Sequence, residues 1–181
     1  MEIRRLMSSD AVVYRDFMLE GYALHPVAFT ASVAEREPFP MTWWEGRVKD
    51  GSAAEEVVVG AFDGKRLVGV SGLRFEQRPK TRHRACLYGM YVHADYAHQG
   101  LGRRLVDEVL DEARQRDGVR IVTLTVTEGN REAEALYMKC GFQSFGVEPF
   151  AIELDDGGYA SKVHMWLDLQ ATVEPADATV P

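Results

Sequence analysis

The sequence predicts a mixed α/β domain built on one central sheet. Three observations predict it. Two apolar, β-branched runs, "EEVVVGAF" and "RLVGVSGLRF", flank Asp63-Gly64, a local hairpin signal, and a third such run completes a meander. Apolar residues then recur at helical spacing from Leu101 to Ala113 and again from Ala133 to Cys140. Between those two helices lies "RIVTLTV", whose β-branched content suits a strand. Strands and helices mixed in this order pack as layers around a single sheet.

Taken in order, "MEIRRL" alternates as a first strand. Ser9 or Asp10 is placed to cap a helix through about Tyr22, with Val13 and Phe17 one turn apart on its inner face. Three prolines break "ALHPVAFTASVAEREPFP". Thr42 with Glu45 fits a capping box that opens a short helix. The third meander strand spans about Arg84 to Val92, after the polar loop "EQRPKTRH". From Gly100 a helix sets Leu101, Leu105, Val106, Val109, Leu110 and Ala113 on one face and stops at Gly118. Asn130 caps the next helix, whose inner face is Ala133, Leu136, Tyr137 and Cys140, and Gly141 ends it. Strands at about Phe142–Leu154 and Tyr159–Leu169 follow. A single domain over residues 1–170 is expected, with "ATVEPADATVP", residues 171–181, as a fraying tail.

Composition narrows the function classes. The 181 residues suffice for one domain with a real core. A net charge of −7 argues against a general nucleic-acid binder. No secretory leader is expected from "MEIRRLMSSD", and no apolar run has the length of a membrane span, so no membrane partner is expected. Cys86 and Cys140 stand far apart without any Cys-x-x-Cys, which predicts reduced thiols in a cytoplasmic protein and no metal site.

The corner "HQGLGRRL" asks for an explanation. A Walker loop would need Lys-Ser/Thr after the glycine, where Arg103 and Arg104 stand. A dinucleotide fingerprint would need a third glycine at Leu105 and an earlier place in the chain. Two readings stay open. Bare backbone N–H groups at the helix start could cradle a pyrophosphate, with Arg103 and Arg104 adding charge. Equally, the glycines could serve a tight strand-to-helix turn.

A second motif, "VTEGNREAEALYMKCGF", spells Asn-x-x-Ala-x-x-Leu-Tyr-x-x-x-Gly-Phe. Paired with "YVHADYAHQGLGRRLV", it resembles the GNAT superfamily of N-acetyltransferases. The motifs cover about Glu56 to Phe142, strand order covers the rest, and "HPVAFTAS" and "GMYV" resemble a bacterial subgroup. Ala97 and His98 depart from the family pattern, which usually has Arg-Gly there. The resemblance implies the GNAT fold, a mixed, mostly antiparallel sheet of about seven strands with helices on both faces. It implies acetyl-CoA as co-substrate and direct transfer to a primary amine of a small molecule or of a protein or peptide.

By the same resemblance His98, Gln99, Gly100, Leu101, Gly102 and Arg103 would hold the pyrophosphate. Met90, Tyr91 and Val92 would pair with the pantetheine arm, and a backbone N–H near Tyr91 or Val92 would polarise the thioester carbonyl. Tyr137 would be the general acid for the leaving thiolate, and Asn130 would touch the arm or simply cap its helix. The fourth strand lacks the family's usual Glu, leaving Tyr88, Glu76, His93, His164 or bulk water to take the amine proton. Trp43, Trp44, Phe29, Phe150 and Tyr159, with Glu35 or Glu148, are candidates for the acceptor pocket. Dimerisation through the last strands is a further expectation. The rival readings are a non-catalytic acyl-CoA-binding module with this fold, and an unrelated domain preferring ATP or NAD.

Overall fold

The computed structural model describes residues 1–51 and 53–171, so the expected tail lies, from residue 172 on, outside the described residues. Seven strands form one sheet: β1 (Glu2–Arg5), β2 (Glu56–Asp63), β3 (Arg66–Phe75), β4 (Arg84–Val92), β5 (Ile121–Thr127), β6 (Gln143–Glu153) and β7 (Tyr159–Asp168). Their spatial order is β1-β2-β3-β4-β5-β7-β6. All neighbours are antiparallel except β4 and β5, which run parallel. The helices are α1 (Ala11–Leu24), α2 (Val33–Arg36), α3 (Met41–Arg47), α4 (Leu101–Gln115) and α5 (Arg131–Lys139).

Two cores lie on opposite faces of the sheet, as alternation along the strands requires. On one face α4 buries Leu101, Leu105, Val106, Val109, Leu110 and Ala113, the six residues its sequence spacing singles out, against Val57, Val59, Leu73, Leu87, Val122 and Leu124. On the other face α1 and α3 bury Tyr14, Phe17, Met18 and Trp44 against Val58, Val70 and Tyr91. Among the described residues no helix is long and apolar enough to cross a membrane.

Four local expectations are corrected. Val13 is 44% exposed, because α1 turns Ala11, Tyr14, Phe17, Met18 and Gly21 inward instead. Asp10 precedes α1 without a side-chain cap bond to it. Its carboxylate accepts the Met7 N–H at 2.9 Å and grips Arg4 at 2.7 and 2.9 Å. Thr42 is no cap either: α3 starts at Met41 behind Pro40, whose extended backbone precedes the first turn. α4 also ends at Gln115, before Gly118, which serves a following turn at φ 82°.

Buried phenols set the alkaline limit of this fold. Burial pushes Tyr22 up to about 12 and raises Tyr14, Tyr88 and Tyr137 above the ordinary tyrosine value. Above about pH 10 the unfolded chain loses protons that the folded chain keeps, so stability is intact below that pH and declines above it. Urea unfolding should show a loss of at least about 1.4 kcal/mol per pH unit between about pH 10 and 12. A midpoint constant over that range would contradict the burial of these hydroxyls.

Candidate active site

The sheet is split where its one parallel pair lies. β4 and β5 pair only from Arg84↔Ile121 to Cys86↔Thr123, so the later halves of both strands lack each other as partners. A bulge in β4 falls at the mouth of the split. Tyr88 pairs with Gly72 and Tyr91 with Val70, which leaves Gly89 and Met90 opposite Ser71 alone. Gly89 takes φ 60°, a left-handed conformation that glycine adopts without strain.

The bulge reverses the facing of every later residue in β4. Leu87 belongs to the α4 core, and without the extra residue Met90 would share the opposite face with Tyr88. Instead Met90 packs on the α4 side and Tyr91 lies under α1. The His93 N–H donates to Val68 O at 3.0 Å across β3. Alternation therefore turns the Tyr91 N–H toward β3 and the Val92 N–H into the split. The Tyr91 side chain is core, with its ring 4.7 Å from that of Phe17 and its hydroxyl donating to Glu20 at 2.9 Å.

Tyr137 reaches the same point from α5. Asn130 caps that helix, its Oδ1 accepting the Ala133 N–H at 3.2 Å. About two turns on, the Tyr137 hydroxyl donates to Met90 Sδ at 3.4 Å. A thioether is a weak acceptor, so this proton is free for a stronger one. Burial raises the phenol well above its usual value, with Cys140 adding to the effect, so it is fully protonated near neutrality.

The glycine corner joins these elements through two different uses of glycine. A Cβ at Gly102 would come within 3.0 Å of Met90 Cε and 3.2 Å of Leu136 Cδ2, so this residue lets α4 close against β4 and α5. Gly100, at φ 76°, precedes α4, and a Cβ there would meet nothing within 4 Å. His98 also has positive φ, at 59°. Among the described residues the N–H groups of residues 98–100 find no protein acceptor, and the first turn of α4 leaves those of Leu101, Gly102 and Arg103 free. The Gln99 amide holds the loop by donating to Asp95 O at 2.9 Å. Leu101 gives its side chain to the core, and Arg103 pairs with Asp107 at 3.5 Å on the surface. An open cradle of backbone donors beside a split strand edge fits a pyrophosphate with an amide-bearing arm.

The expected acceptor pocket does not assemble from the named aromatics. Trp44 is fully buried beneath α1, and Trp43 stacks on it between Arg36 and Arg47. Phe29 packs against Tyr22, while Phe150 and Tyr159 meet edge to face, 76% and 57% exposed. A short helix such as α3 must bury its large side chains, which takes the tryptophans out of reach. Glu35 is paired with Arg36 at 3.2 Å. The hollow beside the split is formed instead by residues 24–28, at the end of α1 and in the loop after it, and Thr127 to Asn130, about 490 Å³ in volume. The Thr127 hydroxyl ties its walls together by donating to Val27 O at 2.8 Å.

The base candidates separate cleanly. Tyr88 is sealed in, donating to Glu56 Oε2 at 2.7 Å, and Glu76 sits at the Arg84 end of β4, away from the bulge. The His93 ring is held by the Arg66 guanidinium at 2.9 Å and the Asp95 N–H at 3.2 Å. His164 is half-exposed and bonded to Glu148 at 2.8 Å. Sequence reasoning missed Glu20, Arg47 and Glu56; apart from the Arg47–Glu56 pair itself, their partners Tyr14, Tyr88, Tyr91 and His93 lie 32 or more residues away along the chain and leave no local signal. Among the described residues no cluster of three or more His, Cys, Asp or Glu could hold a metal ion.

Comparison with known proteins agrees with this fold. The model of the acetyltransferase (GNAT) family matches residues 18–142. The chain is 39% identical over 90 residues to N-alpha-acetyltransferase RimI of Mycobacterium tuberculosis, covering 49% of this chain and 53% of that protein. It is 43% identical over 58 residues to the [ribosomal protein bS18]-alanine N-acetyltransferase of Escherichia coli (strain K12), covering 32% and 38%. The chain spans about a quarter to a half of the length of the curated relatives it matches. The fold is that of yncA from Salmonella typhimurium, solved with its cofactor acetyl-CoA, at TM-score 0.74 and 22% identity, covering 99% of both chains.

Proposed function

The chain belongs to the acetyltransferase (GNAT) family, and from that premise we propose that it moves an acetyl group from acetyl-CoA directly to a primary amine of a small molecule or a peptide. The observation that carries the reading is the meeting of Tyr137 and Met90 at the mouth of the β4–β5 split, beside an open cradle of backbone donors. When bound, acetyl-CoA supplies the activated acyl group. The backbone from His98 to Arg103 holds its pyrophosphate, and the edge of β4 from Met90 to Val92 satisfies its amides. The Val92 N–H polarises the thioester carbonyl, and the Tyr137 hydroxyl gives its proton to the leaving sulfur.

Direct transfer is favoured over an acetylated enzyme thiol. Burial raises both cysteines, and the Cys86 thiol donates to Leu87 O at 3.6 Å rather than to a base. Both are free thiols among the described residues, which accords with a cytoplasmic protein.

Calorimetric titration tests the first half of the reading. Acetyl-CoA should bind with a micromolar Kd, about −8 kcal/mol, while ATP and NAD bind far more weakly. No heat up to millimolar acetyl-CoA would sink the proposal and indict Ala97 and His98. Release of CoA thiol with spermidine, lysine or a hexapeptide bearing N-terminal alanine tests the second half. The relatives that act on ribosomal protein or on N-alpha amines make the peptide the first acceptor to try.

A further inference from the structure

The two faces of the sheet are unequally covered beyond β4. Val122, Leu124 and Val126 of β5, and Val163 and Met165 of β7, face the α4 core. Alternation puts Thr123, Thr125 and Thr127 on the opposite face, beside their register partners Trp166, His164 and Lys162. The helices α1 and α3 cover this face only over β1 to β4. Across β5 and β7 it stays accessible: Thr125 is exposed, and the His164 side chain keeps 33% of its surface. The loop after α1 walls it, through Thr127 on Val27 and Lys162 on Thr30.

We infer that His164, oriented by Glu148, takes the proton from the acceptor amine, which reaches the β4–β5 split across this open face; the inference rests on the acetyl-transfer reading. Thr125 borders the part of β5 that β4 has left, and His164 is its register partner on the next strand. His164 Nε2 lies 2.8 Å from Glu148 Oε2. An ionised carboxylate only accepts hydrogen bonds, so Nε2 carries the hydrogen, and the neutral ring has its lone pair on Nδ1. The Phe145 ring, 5.8 Å from the imidazole, and the Glu148 bond together fix the ring plane.

Tyr137 enters the split from the α4 side and His164 stands on the other, so acid and base do not compete for one proton. The amine nitrogen forms the new bond to the acyl carbon and gives a proton to Nδ1. The carbon–sulfur bond breaks with its electron pair on sulfur, which takes the Tyr137 proton. Solvent then restores the phenol and removes the imidazolium proton. The charged and titratable groups facing His164 are Glu148 from β6, Lys162 on its own strand and, next to Lys162, the Cys86 thiol of β4. The other imidazole near the split, His93, is engaged at both ring nitrogens and has no comparable free lone pair.

The test measures CoA thiol release with whichever of spermidine, lysine and the alanine hexapeptide the unaltered protein acetylates fastest. His164→Ala should lower kcat about a hundred-fold with the KM for acetyl-CoA unchanged, and added imidazole should restore part of the loss. His164→Gln, which keeps the bond to Glu148 but offers no base, should lose as much. Rates for both variants within about three-fold of the unaltered protein, or a loss that imidazole does not rescue, would overturn the base assignment alone. An unaltered protein that binds acetyl-CoA but acetylates none of the three amines would overturn the reading beneath it, and this inference with it.

Discussion

Replacing Tyr137 with phenylalanine should lower turnover about a hundred-fold or more, while acetyl-CoA affinity changes less than about two-fold. The split between the two parameters follows from what the hydroxyl touches. It makes one bond, to a thioether that returns little, so removing it strands no strong acceptor. The ring stays edge-on to Phe142 at 5.9 Å and keeps the α5 packing. What is lost is the proton for the leaving sulfur, which matters only as the carbon–sulfur bond breaks. Burial holds that proton far above neutrality, so the acid is present over the whole useful pH range. Parallel losses in turnover and affinity would make Tyr137 a packing residue.

Glu56→Ala should destabilise the fold by about 3 kcal/mol, read as a lower urea midpoint at unchanged slope. Glu56 accepts from the Tyr88 hydroxyl at 2.7 Å and lies 3.6 Å from the Arg47 guanidinium, and both charged side chains are only 19% exposed. Arg47 is also clamped between the rings of Trp43 and Tyr88, at 4.7 and 4.5 Å. It cannot swing out to water when its counter-charge goes, so a nearly buried cation and a buried phenol are left unpaired. Glu56→Gln should cost less, because an amide oxygen still accepts the Tyr88 hydroxyl. A loss under about 1 kcal/mol for the alanine variant would mean that solvent already screens the pair.

The parts of the site that could be read in advance are those fixed by neighbours in the chain. Asn130, Tyr137 and Gly141 lie within one short helix and its caps, where spacing alone places them. The glycine corner was legible as a corner. Its two glycines have separate jobs, however, and only the approach of Met90 and Leu136 to Gly102 reveals the packing one. The aromatic pocket misled because "MTWW" carries no sign of which tryptophan the sheet will cover. Burial of Trp44 was decided by the seat of α1 on β3 and β4, with α3 beneath it on β2. His164 and Glu148 were named separately. Counting back from Glu153↔Tyr159 would set them opposite, but the register shifts between Glu148 and Ile152, so that Glu148 faces Lys162 and Gly146 faces His164, and the two side chains meet on a diagonal.

By itself the sequence determined the kinds and order of the strands and of the helices other than α2, the inner face of α4, the limits of β4 and the two motifs. Each of these is a local pattern, set by side-chain period, turn chemistry or capping over a few residues. Tertiary structure alone decided that β7, not β6, lies against β5, because a hairpin is the same hairpin whichever strand docks. It also decided that β4 and β5 part after Cys86 and Thr123, and that a bulge at Gly89 turns Met90 toward Tyr137. Those outcomes depend on pairing between strands distant in sequence and on packing against opposite faces of the sheet, and no window of neighbouring residues contains them.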